Sequence, residues 1–159
     1  MEHISGTSKA SPDHRFAVVV SKFNDFVTER LQKGALAAFA SAGAGGDAVT
    51  VVQVPGAFEI PIAARLAAET GHFNAVVCLG CLIRGETPHF EYISSAVAHG
   101  LTQAAADTGV PVTFGVLTTN SAEEALARAG DGPTNKGWEA AVAALEMAAI
   151  AAELGRRSS

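Results

Sequence analysis

The stretch Gly80–Tyr92, GCLIRGETPHFEY, has the spacing of the phosphate-cradling pattern G-x-x-x-x-G-K-S/T, but Glu86 stands where the pattern has lysine and Pro88-His89 follows Thr87. Backbone N–H groups around Gly85, Glu86 and Thr87, at the start of a helix, converge on an anion. Charge then selects the anion. A nucleoside triphosphate with its Mg²⁺ needs the missing cation and is repelled by Glu86, which disfavours an ATPase and leaves a single phosphate monoester. One helix end contributes on the order of 1 kcal/mol to anion binding, so a cationic side chain from elsewhere must help. His89, one residue into the helix, is placed either for proton transfer beside the anion or as a solvated first-turn group. His3, His14 and His72 have weaker claims, and His99, in mid-helix, reads as structural.

Other residues of suitable type lie near strand ends. Phe23 and Phe114 both read as emerging where strands finish, where they serve the core or stack on a flat heterocycle. Glu59 is a helix-start carboxylate or an acceptor for a ligand hydroxyl. Arg128 and Lys136 bracket the turn AGDGPTN, as solvated cations or as the anion's partner. The two cysteines form Cys78-Leu-Gly-Cys81 inside a strand-like run. Three extended residues separate their Cα atoms by ~10 Å, beyond the ~7 Å reach of a disulfide. Without a second Cys/His pair at ligand spacing, zinc also fails, and buried small hydrophobes are the better reading.

These groups need a scaffold. RFAVVVS (15–21), AVTVVQV (48–54), NAVVCLG (74–80) and VTFGVLT (112–118) are β-branched, nearly continuous apolar runs, as expected of strands covered on both faces. Helical patterns separate them. Residues 25–42 set Phe26, Leu31, Ala35, Ala38 and Phe39 at helical spacing before GAGG. Residues 58–70 form a second helix with Pro61 in its first turn. Thr87 caps a third, Pro88 to about Asp107, with proline at its first position. Ser121 and Glu124 make a capping box for a short helix to Arg128, and Asn135 introduces a last helix through about Leu154. Alternation with short connections predicts an α/β fold, a central parallel sheet between two helical layers. Ligands of such sheets sit beyond the carboxyl ends of the strands, which directs attention to 21–26, 54–61, 80–90 and 114–120.

The chain of 159 residues is one domain in length. Residues 1–14 are polar and read as a loosely held arm, and 15–159 as a single α/β domain. Hydrophobic residues make up 48% and charged residues only 17%, too little polar surface for an isolated monomer, so a homo-oligomer is expected. A net charge of −5 argues against nucleic acid, which calls for a clustered basic face. No apolar run approaches a membrane span and residues 1–16 lack a secretory h-region, so the expected setting is the cytoplasm.

SKFNDF, VPGAFEIP, LGCLIRGETPHFEY, FGVLTTNSAEEALARAG and NKGWEAAVAALEM, in this order between Arg15 and Leu154, together resemble the lumazine synthases of riboflavin biosynthesis. The resemblance implies a flavodoxin-like α/β/α sandwich and a transferase joining 5-amino-6-(D-ribitylamino)uracil to 3,4-dihydroxy-2-butanone 4-phosphate. No metal or organic cofactor is implied. By resemblance, Phe23 stacks on the pyrimidine; Ala57, Phe58 and Glu59 hold its ring and ribityl chain; and Cys81, Leu82 and Ile83 line the pocket, chiefly through backbone. Gly85, Glu86 and Thr87 mark the phosphate cradle, Arg128 is its cation, Lys136 assists, and His89 transfers protons. Phe114 and Arg128 are expected from a neighbouring subunit. The resemblance also implies pentamers, decamers of two pentamers or sixty-subunit icosahedral shells, and the short AGDGPTNKG turn is similar to that of the shell-forming members. It leaves open whether a riboflavin synthase is a further partner. Rival readings are a lumazine- or flavin-binding module without turnover, an inert shell, and a relative of the archaeal riboflavin synthases.

Overall fold

In the computed structural model, which describes residues 1–158, the apolar runs become β1 Phe16–Ser21, β2 Val49–Val54, β3 Ala75–Ile83 and β4 Val112–Thr119. They pair in parallel as one sheet in the order β2-β1-β3-β4. The helices are α1 Asp25–Ser41, α2 Ile60–Glu69, α3 His89–Thr108, α4 Ala122–Ala127 and α5 Lys136–Arg157. Because successive strand residues face opposite ways, β1 feeds two cores at once. Phe16, Val18 and Val20 join Leu31 and Phe39 of α1 and Ala141, Ala144 and Leu145 of α5. Ala17 and Val19 join Ile60 and Ala64 of α2 and Val97 and Leu101 of α3. The result is a three-layer α/β/α sandwich of flavodoxin-like type. Each fully buried Phe or Leu, Phe16, Leu31 and Phe39 among them, contributes ~1.5–3 kcal/mol to that core.

The chain runs outward from β1 to β2, then crosses back to β3 and β4. This reversal makes the gap between β1 and β3, at their carboxyl ends, the switch point at which such folds bind ligands. Several local expectations change. β2 is not covered on both faces: it is an edge strand with Thr50, Val51 and Gln53 exposed. On α1 the inward residue is Val27 rather than Phe26, which is 43% exposed; the spacing Val27, Leu31, Ala35, Ala38 is the more regular stripe. The second helix proper starts at Ile60, after a 3₁₀ turn at Ala57–Glu59, and α5 continues to Arg157.

Where α1 crosses α5, the backbones come together. A Cβ on Gly137 would overlap the Leu31 carbonyl, and one on Gly34 would overlap the Asn135 side chain. Asn135 is buried and uses both ends of its amide. Its Oδ1 caps α5 by accepting from Gly137 N (2.7 Å) and Trp138 N (3.1 Å), while its Nδ2 donates to the carbonyls of Gly130 (2.8 Å) and Arg30 (3.2 Å). The arm before β1 is held rather than loose. Ala10 N–H donates to Ala42 C=O at 2.9 Å, Gly6 lies against the Glu146 backbone, and Glu2 pairs with Arg157.

Candidate active site

β3 extends past its neighbour. β1 accompanies it only to the pair Val20↔Leu79, whereas β4 follows it to Ile83↔Thr119. Residues 80–83 therefore present to the switch point a backbone edge that β1 leaves uncovered, as a planar hydrogen-bonding ring requires. On the β1 side the chain turns sharply. Phe23 N–H donates to Pro55 C=O at 3.1 Å, and its side chain is 70% exposed. Asn24 adopts a left-handed conformation, φ 64° and ψ 45°, the one non-glycine residue to do so among those described. Its side chain does not cap α1 but crosses the gap, Nδ2 donating to Cys81 C=O at 2.9 Å. Sequence reasoning passed over Asn24; its signal was an asparagine, the residue type most tolerant of that conformation after glycine, just before a helix.

From β2 the 3₁₀ turn brings Ala57 into the wall, buried, and leaves Phe58 63% exposed. Glu59 folds back over Gly56, so that a Cβ there would lie 3.2 Å from its Oε1. Phe58 and Glu59 border a recess of about 400 Å³ with Pro61, Ile62 and Ala96. Cys81 is buried, whereas Leu82 and Ile83 are partly open. Burial pushes the Cys81 thiol up to about 11 and that of Cys78 higher still, so neither is a thiolate nucleophile near neutrality. Both are free, inside one strand, as the spacing requires.

After Ile83 the chain leaves the sheet, and Gly85, Glu86, Thr87, Pro88 and His89 are all exposed. α3 begins at His89 with Pro88 at the cap position and no side-chain hydrogen bond capping its N-terminus. Thr87 is therefore not the cap, and proline stands one position earlier than expected. The consequence favours an anion: the first-turn N–H groups have no side-chain acceptor. Arg84, just before the cradle, donates through Nε to Asn120 Oδ1 (3.0 Å) and through a terminal nitrogen to Glu91, with its plane over Phe90. At α4 only half of the capping box forms. Ser121 Oγ accepts from Glu124 N at 3.1 Å, but the Glu124 carboxylate accepts from Asn120 N at 3.0 Å.

Phe114 is not at a strand end. It is the third residue of β4, paired with Cys78 and 51% exposed, five residues, ~16 Å, short of Thr119. With Arg128, Lys136 and the rest of β4 it lines a groove of about 240 Å³ on the free outer edge of the sheet. Arg128 donates to Glu124 C=O at 3.0 Å and Lys136 to Glu139 at 2.9 Å. The expected site residues thus fall into two sets: Phe23, Ala57–Glu59, Cys81–Ile83 and Gly85–His89 around the switch point, and Phe114, Arg128 and Lys136 along the β4 edge. His99 is exposed on α3 rather than structural. Among the described residues no three His, Cys, Asp or Glu side chains are grouped to hold a metal, and no helix is long and apolar enough to cross a membrane.

Known proteins resolve the identity of this arrangement. The family model for 6,7-dimethyl-8-ribityllumazine synthase matches residues 13–152. A protein of Syntrophus aciditrophicus (strain SB) with that name is 53% identical over 133 residues, covering 84% of this chain and 86% of the relative. One of Salinibacter ruber (strain DSM 13855 / M31), also named 6,7-dimethyl-8-ribityllumazine synthase, is 54% identical over 141 residues, 89% of this chain and 90% of the relative. With such matches over most of its length, the chain belongs to the 6,7-dimethyl-8-ribityllumazine synthase family, transferases of riboflavin biosynthesis.

Proposed function

We infer that the protein condenses 5-amino-6-(D-ribitylamino)uracil with 3,4-dihydroxy-2-butanone 4-phosphate to 6,7-dimethyl-8-ribityllumazine, releasing phosphate and water. The observation that carries this reading is the family match over residues 13–152. The geometry supports it. In the proposed complex Phe23 stacks on the pyrimidine, whose polar edge meets the backbone of Ile83 on the side that β1 leaves uncovered, while Cys81 and Leu82 form the wall behind it. Ala57, Phe58 and Glu59 take the ribityl chain, with the Glu59 carboxylate as hydroxyl acceptor. Gly85, Glu86 and Thr87 receive the phosphate through backbone N–H groups. A phosphate that must leave suits such donors plus one separate cation better than a fixed Mg²⁺ clamp.

Chemistry follows from holding the two substrates together. The uracil 5-amino group attacks the ketone and the carbinolamine loses water as a Schiff base. Proton removal and phosphate elimination then precede ring closure and loss of a second water. His89, exposed one residue into α3 beside the cradle, relays the protons. Proximity of two bound reactants supplies several kcal/mol without any cofactor.

The proposed assembly is a homo-oligomer built on pentamers, with a sixty-subunit shell as its final form. It is supported by the division of site residues between two faces. A cation is needed at the cradle, yet Arg128 and Lys136 line the β4 edge groove with Phe114, which fits a cleft completed by a neighbouring copy. Exposed Phe58, Ile62, Leu66 and Tyr92 supply apolar surface that such a copy would cover. A cytoplasmic setting is part of the same proposal. The deciding experiment supplies both substrates and follows lumazine absorbance and inorganic phosphate together. Equimolar appearance of both is expected. Ligand fluorescence quenching without phosphate release would reduce the protein to a binding module.

A further inference from the structure

We propose that Arg84 is a positioning residue of this site: it holds the phosphate cradle and the His89 turn in register with the end of the sheet. The proposal rests on the functional reading above. Arg84 is the last residue anchored by the strands, its own N–H donating to Thr119 C=O at 2.8 Å. Its guanidinium then reaches across the loop. Nε donates to Asn120 Oδ1 at 3.0 Å, a terminal nitrogen donates to Glu91 Oε1, and Cζ lies 4.6 Å from the centroid of the Phe90 ring. Phe90 and Glu91 follow His89 directly, so the side chain closes residues 84–91 into a ring with His89 and the cradle inside it.

Little else restrains that segment. No side chain caps α3, a Cβ on Gly85 would meet nothing within 4 Å beyond its chain neighbours, and residues 85–89 are exposed. Three different grips on one planar group, a neutral acceptor, a carboxylate and an aromatic face, match arginine and not lysine, whose single ammonium holds one of them. An exposed ion pair of this kind adds little to global stability. Its effect is on placement, where a shift near 1 Å reduces a rate by up to about a hundredfold. Losing the guanidinium also leaves the Glu91 carboxylate unneutralised beside the cradle, where it repels the phosphorylated substrate.

The test uses the full chain as Arg84→Met and Arg84→Lys, read by steady-state kinetics with both substrates and by amide hydrogen exchange without substrate. In Arg84→Met, exchange at residues 85–90 accelerates about tenfold while β3 amides at 76–79 keep their protection. KM for the butanone phosphate rises and kcat falls, each about tenfold, and KM for the ribitylaminouracil stays within about twofold. Lysine restores less than half of the loss on a logarithmic scale. Wild-type exchange and kinetics in Arg84→Met, full rescue by lysine, or an equal loosening of the whole chain each overturn the proposal. If Arg84→Met does not fold, Asn120→Ala, which removes one grip, must show the same local exchange and the same asymmetry between the two KM values in smaller degree; no change overturns it. Absence of lumazine formation by the wild-type chain refutes the functional reading instead, and the exchange data still decide whether Arg84 holds the loop.

Discussion

His89 carries the proposed proton transfers from an exposed first-turn position, so its removal leaves substrate binding and proximity intact. His89→Ala is therefore expected to lower kcat by roughly 10²-fold or less, with both KM values little changed; a wild-type kcat removes His89 from the mechanism. The cysteines make a contrasting case, in which burial rather than function sets the chemistry. Cys81 is held at about 11 against an ordinary 9.0, and Cys78 is raised further, in both cases by desolvation of the thiolate. The folded chain keeps thiol protons that the unfolded chain releases above pH 9, so this contribution is complete below pH 9 and is lost as pH rises through 11. The thermal midpoint should accordingly fall more steeply from pH 9 to 11 in wild type than in Cys78→Ala/Cys81→Ala. Parallel slopes would contradict the assignment. At this scale the sequence was informative about residue type: CLGC read as two buried strand residues, and they are. It was silent on Asn24, because a side chain that skips its own helix to reach Cys81 57 positions away leaves no mark in local spacing.

Elements were legible wherever hydrophobic periodicity is long, and less so at their ends. All four strands appear, since a β-branched apolar run between turn signals has few alternatives in an alternating chain. Cap chemistry held at Asn135 and failed at Thr87, where proline took the cap position itself. Both follow from side-chain hydrogen bonding, for Asn135 has two backbone donors and two carbonyls within 3.2 Å, while no backbone donor of α3 meets Thr87. Asn135→Ala removes the α5 cap and takes the amide donor from the part-buried Arg30 and Gly130 carbonyls. Its cost should be ~2–4 kcal/mol in urea denaturation, and Asn135→Asp should recover only part, since a carboxylate caps α5 but cannot donate to Arg30 and Gly130. A loss below ~1 kcal/mol would mean that the α1–α5 contact does not depend on this amide.

For the whole molecule, the division of the site into a switch-point set and a β4-edge set has a sharp consequence. Each proposed active site takes its cradle from one chain and Arg128 from the next, so two differently crippled chains complement each other. Arg128→Ala alone should raise KM for the butanone phosphate far more than for the ribitylaminouracil. When the impaired His89→Ala and Arg128→Ala chains are unfolded, mixed equally, reassembled and assayed at low butanone phosphate, random pairing should regenerate about a quarter of wild-type sites. Activity no greater than the sum of the separate variants would place Arg128 and His89 in the same chain's site. Light scattering on the same samples reports whether the pentamer-based shell forms.

By itself the sequence determined the order and type of the elements, the family, and which residues have the right chemistry. These depend on local periodicity and on contiguous motifs such as VPGAFEIP and GCLIRGETPHF, which keep their meaning without coordinates. Only the tertiary structure decided that β2 is an exposed edge, that β3 outruns β1 beyond Leu79, and that Phe114 sits inside β4 rather than at its end, in one groove with Lys136. The physical reason is that strand order, register and the accessible edges of a sheet arise from pairing between residues distant in the chain, and a single strand's composition does not encode its neighbours.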